Sequence, residues 1–313
     1  MKIAITGNTG LIGSRFINLL KGKYTICPLS TSKIIDITNK DLVFESLEQI
    51  NPSLILHFAA KTDVDACEKD KPEDLDKLSE LNTKKNEGLD FSGINSSDWK
   101  GKSSAFAINF IGTKNLADFA IAKNIKLVYI STDFVFSGEK NNYVEDDIQD
   151  PINWYGKTKY FGEKYINNNL KNYLIVRLSY PYGYKSEVKK DFLWKMADYL
   201  QEKKEGGFVS DQIITPTFID DIVYGLEFLI NKNTDKIYHL VGSSFVSPYQ
   251  IGLMLAGRIG IDKDKIKKIK REEYYRNRAP RPFKSRIKND KLMHLGFKTK
   301  TFEQGLDIIG NTL

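Results

Sequence analysis

The chain has 313 residues, of which 47 are basic and 40 acidic, for a formal charge of +7; hydrophobic residues make up 41% and charged residues 28%. These values suit a globular protein of about two domains with a full-sized core. They exclude a disordered chain, a collagen-like repeat and a disulfide scaffold. Net charge by itself leaves three partners open: nucleic acid, an anionic surface or an anionic small molecule.

Two cysteines, Cys27 and Cys67, lie outside any metal-ligand spacing and read as structural thiols of a reducing compartment. The opening run Met1–Ile5 is interrupted by Thr6-Gly7-Asn8, so no apolar segment of signal-peptide length forms. No run approaches a membrane span. The expected location is the cytoplasm.

In chain order, Lys2–Thr6 is a short apolar strand ending at glycine, and Ser14–Lys21 follows with Phe16, Ile17, Leu19 and Leu20 at helical spacing. Further strands are predicted at Tyr24–Cys27, Leu54–Phe58, Leu127–Ser131, Leu174–Arg177 and Ile237–Val241. Helices are predicted at Leu42–Ile50, Phe110–Lys123, Tyr155–Asn168 and Asp220–Asn231. Short apolar strands alternating with helices indicate an α/β fold with a doubly wound parallel sheet of the Rossmann type. Two stretches depart from this rhythm. Pro72–Ser104 is charged, then rich in Ser, Asn and Gly, and reads as a surface insertion. The C-terminal third is irregular and reads as a smaller substrate lobe. The expected division is a dinucleotide-binding domain over residues 1–178, to which 211–241 return, and a substrate-binding lobe over 179–210 and 242–313.

The turn Gly7-Asn8-Thr9-Gly10-Leu11-Ile12-Gly13 joins the first strand to the first helix. Glycine permits positive φ and close approach, and the helix offers N–H groups and a positive dipole end to a pyrophosphate. Strand before and helix after is the context that a dinucleotide-binding turn requires. After the second strand, where an acidic residue would hold a ribose 2′-hydroxyl, the chain has Leu29-Ser30-Thr31-Ser32-Lys33. Hydroxyls and a lysine without a carboxylate favour NADPH, with NADH the alternative. Asp36 followed by Ile37 has two readings, an adenine contact or a loop cap before Thr38.

Tyr155 and Lys159 are four apart and share one face of a predicted helix. A nearby ammonium favours phenolate and brings a tyrosine toward useful acid–base range. Tyr160 and Lys164 repeat the spacing, so the pattern alone is weak. Tyr155 is favoured by its partner segment, a strand ending in Ser131-Thr132-Asp133. In parallel sheets that end faces the ligand crevice, where Thr132 would hold a substrate carbonyl. His57, His239 and His294 are far apart and show no metal spacing, so no metal is expected.

These segments together resemble the extended short-chain dehydrogenase/reductase family, and within it the dTDP-4-dehydrorhamnose reductase-like group. The residues that carry the resemblance are Thr6–Gly13, His57–Asp65, Asn109–Leu116, Ser131–Phe136, Pro151–Lys159, Arg177–Gly183, Asp211-Gln212 with Thr215-Pro216-Thr217, and Tyr238–Leu240. The resemblance implies a catalytic set of Thr132, Tyr155 and Lys159. It places Gly10, Leu11 and Ile12 at the pyrophosphate, Asp36 and Ile37 at adenine, and Ala59, Ala60 and Lys61 along the cofactor; Ser30, among the hydroxyls after the second strand, is the candidate for a 2′-phosphate by its residue type. Thr132, Asp133 and Tyr180 would face the sugar. Tyr180 stands where the group often has tryptophan. The implied activity is NAD(P)H-dependent reduction of the 4-keto group of a nucleotide-linked 4-keto-6-deoxy sugar, in the synthesis of cell-surface polysaccharide precursors. Relatives are often dimers, so a homodimer is the implied assembly.

Three other readings compete. A 4,6-dehydratase carries Glu after Thr-Asp, where this chain has Phe134. An epimerase would keep and regenerate its cofactor. A non-catalytic NADP-binding subunit, resembling the regulatory subunit of methionine adenosyltransferase, would retain the same motifs. The charge also resolves by position: Lys263–Lys291 holds thirteen basic and four acidic residues. Arg276, Arg278, Arg281 and Lys284 cluster there around Ala279-Pro280-Arg281-Pro282, and Arg281 is the candidate for a substrate diphosphate. No nucleic-acid motif accompanies them.

Overall fold

The protein is described here from a computed structural model covering residues 1–29, 35–81, 84–85, 88–89, 91–183, 190–234 and 236–310. Ser30 and Lys33 lie outside the described residues. The chain starts with β1 (Lys2–Thr6), α1 (Leu11–Leu19), β2 (Thr25–Pro28), α2 (Lys40–Ile50), β3 (Leu54–His57) and α3 (Val64–Glu80). A short antiparallel pair, β4 (Lys84–Lys85) and β5 (Gly88–Leu89), precedes α4 (Gly112–Lys123), β6 (Lys126–Thr132), α5 (Trp154–Asn169) and β7 (Tyr173–Leu178). Then come β8 (Pro181–Tyr182), α6 (Phe192–Lys203), β9 (Gly206–Val209), β10 (Thr217–Phe218), α7 (Ile219–Asn231) and β11 (Lys236–His239). The chain ends with α8 (Pro248–Arg258), β12 (Ile266–Ile269), α9 (Arg271–Tyr274), α10 (Asp290–His294) and α11 (Phe302–Ile309).

Six strands form a central parallel sheet in the order β11-β7-β6-β3-β1-β2. The chain steps from β1 out to β2, then crosses to β3 on the other side of β1. The carboxyl ends of β1 and β3 therefore flank a switch in winding direction, where α/β sheets open a ligand crevice. The register is set by near-continuous apolar runs: Thr6 pairs with His57, and His57 with Tyr129. All four residues of β3 and all seven of β6 are buried, as expected of interior parallel strands. β2 is a half-exposed edge and ends at Pro28, which cannot extend a ladder.

The chain divides into two compact units: residues 1–8, 20–131 and 153–175, and residues 9–19, 132–152 and 176–313. In the first, α2 packs on α4, and α4 and α3 each pack on α5. Side chains cap the helix starts: Asn39 for α2, Asp63 for α3 and Asn153 for α5. One turn of π-helix, Ala107–Ile111, leads into α4. In the second unit, α1 lies along α7, tied by a two-point Arg15–Asp220 ion pair at 2.7 and 2.8 Å. A core of Tyr182, Leu193, Phe218, Ile251, Leu255 and Phe302 gathers α6, α8 and α11.

The stretch from Pro72 to Ser104 differs from the expected surface insertion. Pro72 lies inside α3. Ile94 is 3% exposed and Trp99 1%, packed with Phe106, Phe110 and Phe161. Polar composition hides this burial, because only a few anchors among charged residues reach the core.

Candidate active site

In the first unit, β1 ends in a hydroxyl and a glycine. Gly7 has φ +69°, and a Cβ there would lie 2.6 Å from Ala59 N. Glycine thus lets the turn after β1 close against the turn after β3. The strand ends are joined by a chain of hydrogen bonds with defined direction. Thr113 Oγ1 donates to Asn109 O (2.7 Å), so it accepts from His57 Nε2 at 3.0 Å. His57 Nδ1 then accepts from Thr6 Oγ1 at 2.6 Å, and Thr6 in turn accepts from Ala59 N–H at 3.2 Å. Burial, helped by the charge of Lys159, holds His57 well below 6.5, so it is neutral, as this tautomer requires. It is a structural link between strands.

Asn109, fully buried in the π-turn, accepts from Lys61 N (2.8 Å) and donates to Lys61 O (3.1 Å) and to Thr158 Oγ1 (3.1 Å). Thr158 donates to Tyr155 O at 2.9 Å. The loop Ala59–Lys61 is thereby tied to the first turn of α5. The start of α5 is held further by Trp154, whose backbone N–H donates to Glu68 and whose indole donates to the buried Asp74, both at 2.7 Å. Its ring packs on Phe106 and Phe161.

Tyr155 is half-buried in the first turn of α5, and Lys159, one turn on, is buried. Burial, opposed by the Glu163 carboxylate, brings the Lys159 ammonium down to about 7. Its Nζ sits 4.0 Å from the centroid of the Tyr129 ring. Ser131 Oγ, at the carboxyl end of β6, is buried and has no partner. A buried hydroxyl left over beside the closely packed ends of β1 and β3 suits a polar ligand laid across them. That is the fit expected of a dinucleotide.

Asp36 uses both carboxylate oxygens within the chain: Thr38 N and Oγ1 donate to one (2.9 and 2.6 Å), and Gly101 N donates to the other at 3.0 Å. This is the loop-cap geometry. Ile37 is buried against Gly112, where a Cβ would be 2.4 Å from Ile37 Cδ1. Lys61 Nζ is paired with Asp70 at 2.6 Å.

The second unit holds Gly10 to Gly13 at the start of α1, and Thr132, Asp133, Tyr180 and Arg281. Thr132 Oγ1 accepts from Phe134 N and donates to Asp133 Oδ1, both at 3.2 Å. Ser179 Oγ donates to the other oxygen of Asp133 at 3.1 Å. Burial raises Asp133 to about 6, against hydrogen bonds from Ser179, Ser285 and Thr132. Tyr180 is in the left-handed region at φ +42°, its ring 5.6 Å from Phe192 and 6.2 Å from Phe134. Burial, Tyr275 and Asp133 push its phenol well above 10, while Arg281 pulls it down. Arg281 lies over the Tyr275 ring at 5.3 Å and donates to Ala279 O at 2.5 Å. Asp211 and Gln212, among the residues that carry the resemblance, anchor the basic segment: Asp211 accepts from Arg271 N (2.7 Å), and Gln212 donates to Pro282 O (2.9 Å) and accepts from Tyr275 OH (3.2 Å).

Four groups were not singled out for a role by the sequence: Asn109, Thr158, Ser179 and Tyr129. Asn109, Thr158 and Ser179 stand within segments that carry the resemblance, and Tyr129 carries no local signal. Among the described residues, no His, Cys, Asp and Glu cluster is arranged to hold a metal, and no helix is long and apolar enough to cross a membrane.

A family model described as RmlD substrate binding domain matches residues 1–85 and 99–312. The chain belongs to the RmlD family. A dTDP-4-dehydrorhamnose reductase of Aggregatibacter actinomycetemcomitans is 32% identical over 263 residues, covering 81% of this chain and 78% of that protein. The crystal structure of dTDP-4-dehydrorhamnose reductase from Bacillus anthracis, in complex with NADP, superposes with a TM-score of 0.82 at 29% identity, covering 100% and 99% of the two chains. The RmlD likeness also extends to a methionine adenosyltransferase 2 subunit beta of Xenopus laevis, 24% identical over 95% of this chain and 83% of that protein. Residues 86–98 fall outside the match to the RmlD model.

Proposed function

We propose that this protein is an NADPH-dependent reductase acting on the 4-keto group of a nucleotide-linked 4-keto-6-deoxy sugar, in cell-surface polysaccharide precursor synthesis. The observation that carries the reading is a buried lysine one helical turn after a half-buried tyrosine on α5. The reductase names of the relatives support the same chemistry. Gly7, Gly10, Leu11, Ile12 and Gly13 would hold the pyrophosphate, Asp36 and Ile37 the adenine side, and Ala59, Ala60, Lys61 and Ser131 the middle of the dinucleotide. Ser30 and the other hydroxyls after β2 favour NADPH over NADH. When bound, the reduced nicotinamide supplies hydride.

The chain's own residues handle the proton and the orientation. Tyr155 gives its phenolic proton to the alkoxide forming at C4 and is reprotonated from solvent. Lys159 favours the phenolate left behind and donates to ribose hydroxyls. Thr132 donates to the same sugar oxygen, exchanging its bond to Asp133 for one to substrate. Asp133 and Tyr180 line the sugar, and Arg281 meets the diphosphate. Positioned proton transfer of this kind contributes about 10²–10⁴-fold. A homodimer is the assembly to test by sedimentation.

The test is loss of NADPH absorbance on adding dTDP-4-keto-6-deoxy sugar. Turnover in the wild type, abolished in Tyr155→Phe while NADPH binding persists, supports the assignment. Full activity in Tyr155→Phe sinks it. Tight NADPH binding without turnover on any 4-keto sugar nucleotide would favour the regulatory-subunit reading.

A further inference from the structure

Lys159 is buried on α5, and burial of an ammonium is costly unless something replaces water around it. Two features of the first unit do so. On its own helix, Glu163 stands four residues on and is 2% exposed. From the sheet side, the ring of Tyr129, on β6 and fully buried, presents its face 4.0 Å from Nζ. The Tyr129 hydroxyl passes beneath the helix and donates to Lys159 O at 3.3 Å. Gly162 makes room for it, since a Cβ there would lie 2.6 Å from that hydroxyl oxygen. Neutral His57 also packs against Tyr129, at 5.6 Å between ring centroids, and adds no charge. The titratable groups facing Lys159 are therefore Glu163 and Tyr155 on α5, Tyr129 on β6 and His57 on β3.

We propose that Tyr129 is a positioning residue for Lys159: its ring face is the surface on which the buried ammonium rests, and Gly162 is the residue that admits it. An aromatic face attracts a cation most strongly where water is excluded. The ring thus favours the charged form and confines Nζ to one direction from the helix. This role rests on the reductase reading for its catalytic meaning. The physical claim about Lys159 stands apart from it.

The test reads Lys159 directly. Protein labelled with ¹³Cε-lysine is titrated by NMR without substrate, and the Lys159 signal is assigned by its loss in Lys159→Arg. Tyr129→Phe keeps the ring face and titrates close to wild type. Tyr129→Leu moves the titration down by about one pH unit, the size expected when a desolvated cation–π contact is lost. If the leucine variant does not fold, pentafluorophenylalanine at position 129 keeps the shape and inverts the ring's charge distribution, and the same downward shift is expected. An unchanged titration in either variant overturns the proposal. Lack of turnover in the wild type would overturn the reductase reading and leave this result untouched.

Discussion

Asn109 and Lys61 are joined by two hydrogen bonds of opposite sense, one from the Lys61 N–H and one to the Lys61 carbonyl. A single buried side chain thus satisfies both polar groups of a loop residue. Asn109→Ala leaves the Lys61 N–H unpaired and its carbonyl with only the weak Cys67 Sγ donor at 3.4 Å, at a cost of about 3 kcal/mol. The expected outcome is a lower urea midpoint with unchanged slope, together with weaker NADPH binding. A variant as stable as wild type would show that water replaces the amide.

Gly7→Ala combines a left-handed backbone with a contact of 2.6 Å to the Ala59 backbone, which has no flexible end to give way. The destabilisation expected is at least 1–2 kcal/mol, of the order of other strained φ positions. Calorimetry should show NADPH affinity reduced by more than about tenfold, since 1.4 kcal/mol is one decade. Retained affinity would remove the turn from the cofactor site.

Asp133 carries a pH signature. Its folded pKa is about 6, above the ordinary 3.8, so the folded state holds the proton more tightly than the unfolded chain. Stability from this group is complete below about 4 and is lost as pH rises through 6. Asp133→Asn, which cannot ionise, should be more stable than wild type at pH 8 by up to about 3 kcal/mol. The difference should vanish near pH 4. Thermal melts across that range decide it, and a pH-independent difference would locate the ionisation elsewhere.

Lys159 must be charged to favour phenolate on Tyr155. With its pKa brought to about 7, kcat/KM should fall on the alkaline side of neutrality. Glu163 holds that value up, so Glu163→Gln should move the alkaline limb to lower pH while leaving the acidic limb in place. A shift of both limbs together would point to general disruption of α5.

Trp99 tests the segment that precedes the π-turn. Its ring lies 4.6 Å from Phe106, and its indole N–H is buried without a partner. Trp99→Ala should cost about 3–5 kcal/mol, and Trp99→Phe far less, because the ring mostly survives and an unsatisfied donor is removed. Equal losses in the two variants would contradict this account.

The fold was legible because its strands are apolar runs and its helices carry their own caps. Lys2–Thr6 and Leu54–Phe58 declare interior strands by composition, and Asn153 stops and starts the chain just before Tyr155. Tyr155 and Lys159 were legible as a spacing, and Thr132 as the end of a strand. Trp99 was not, since its burial depends on partners in α3 and α5 that lie far off in sequence. Asp36 was ambiguous because one carboxylate suits both a loop cap and an adenine contact. Tyr129 was invisible as a partner of Lys159, because thirty residues separate a strand position from the helix above it.

The strand order carries a consequence for biosynthesis. Five strands of the central sheet are encoded by residue 178, while the sixth, β11, follows only at residues 236–239 and pairs beside β7. A nascent chain leaving the ribosome therefore presents β7, the apolar run Tyr173–Leu178, as an open edge until β11 arrives. At translation rates of about 5–20 residues per second, that interval is roughly three to twelve seconds. Chains truncated before residue 236 should keep that edge permanently and should be the species that chaperones bind and that aggregate first.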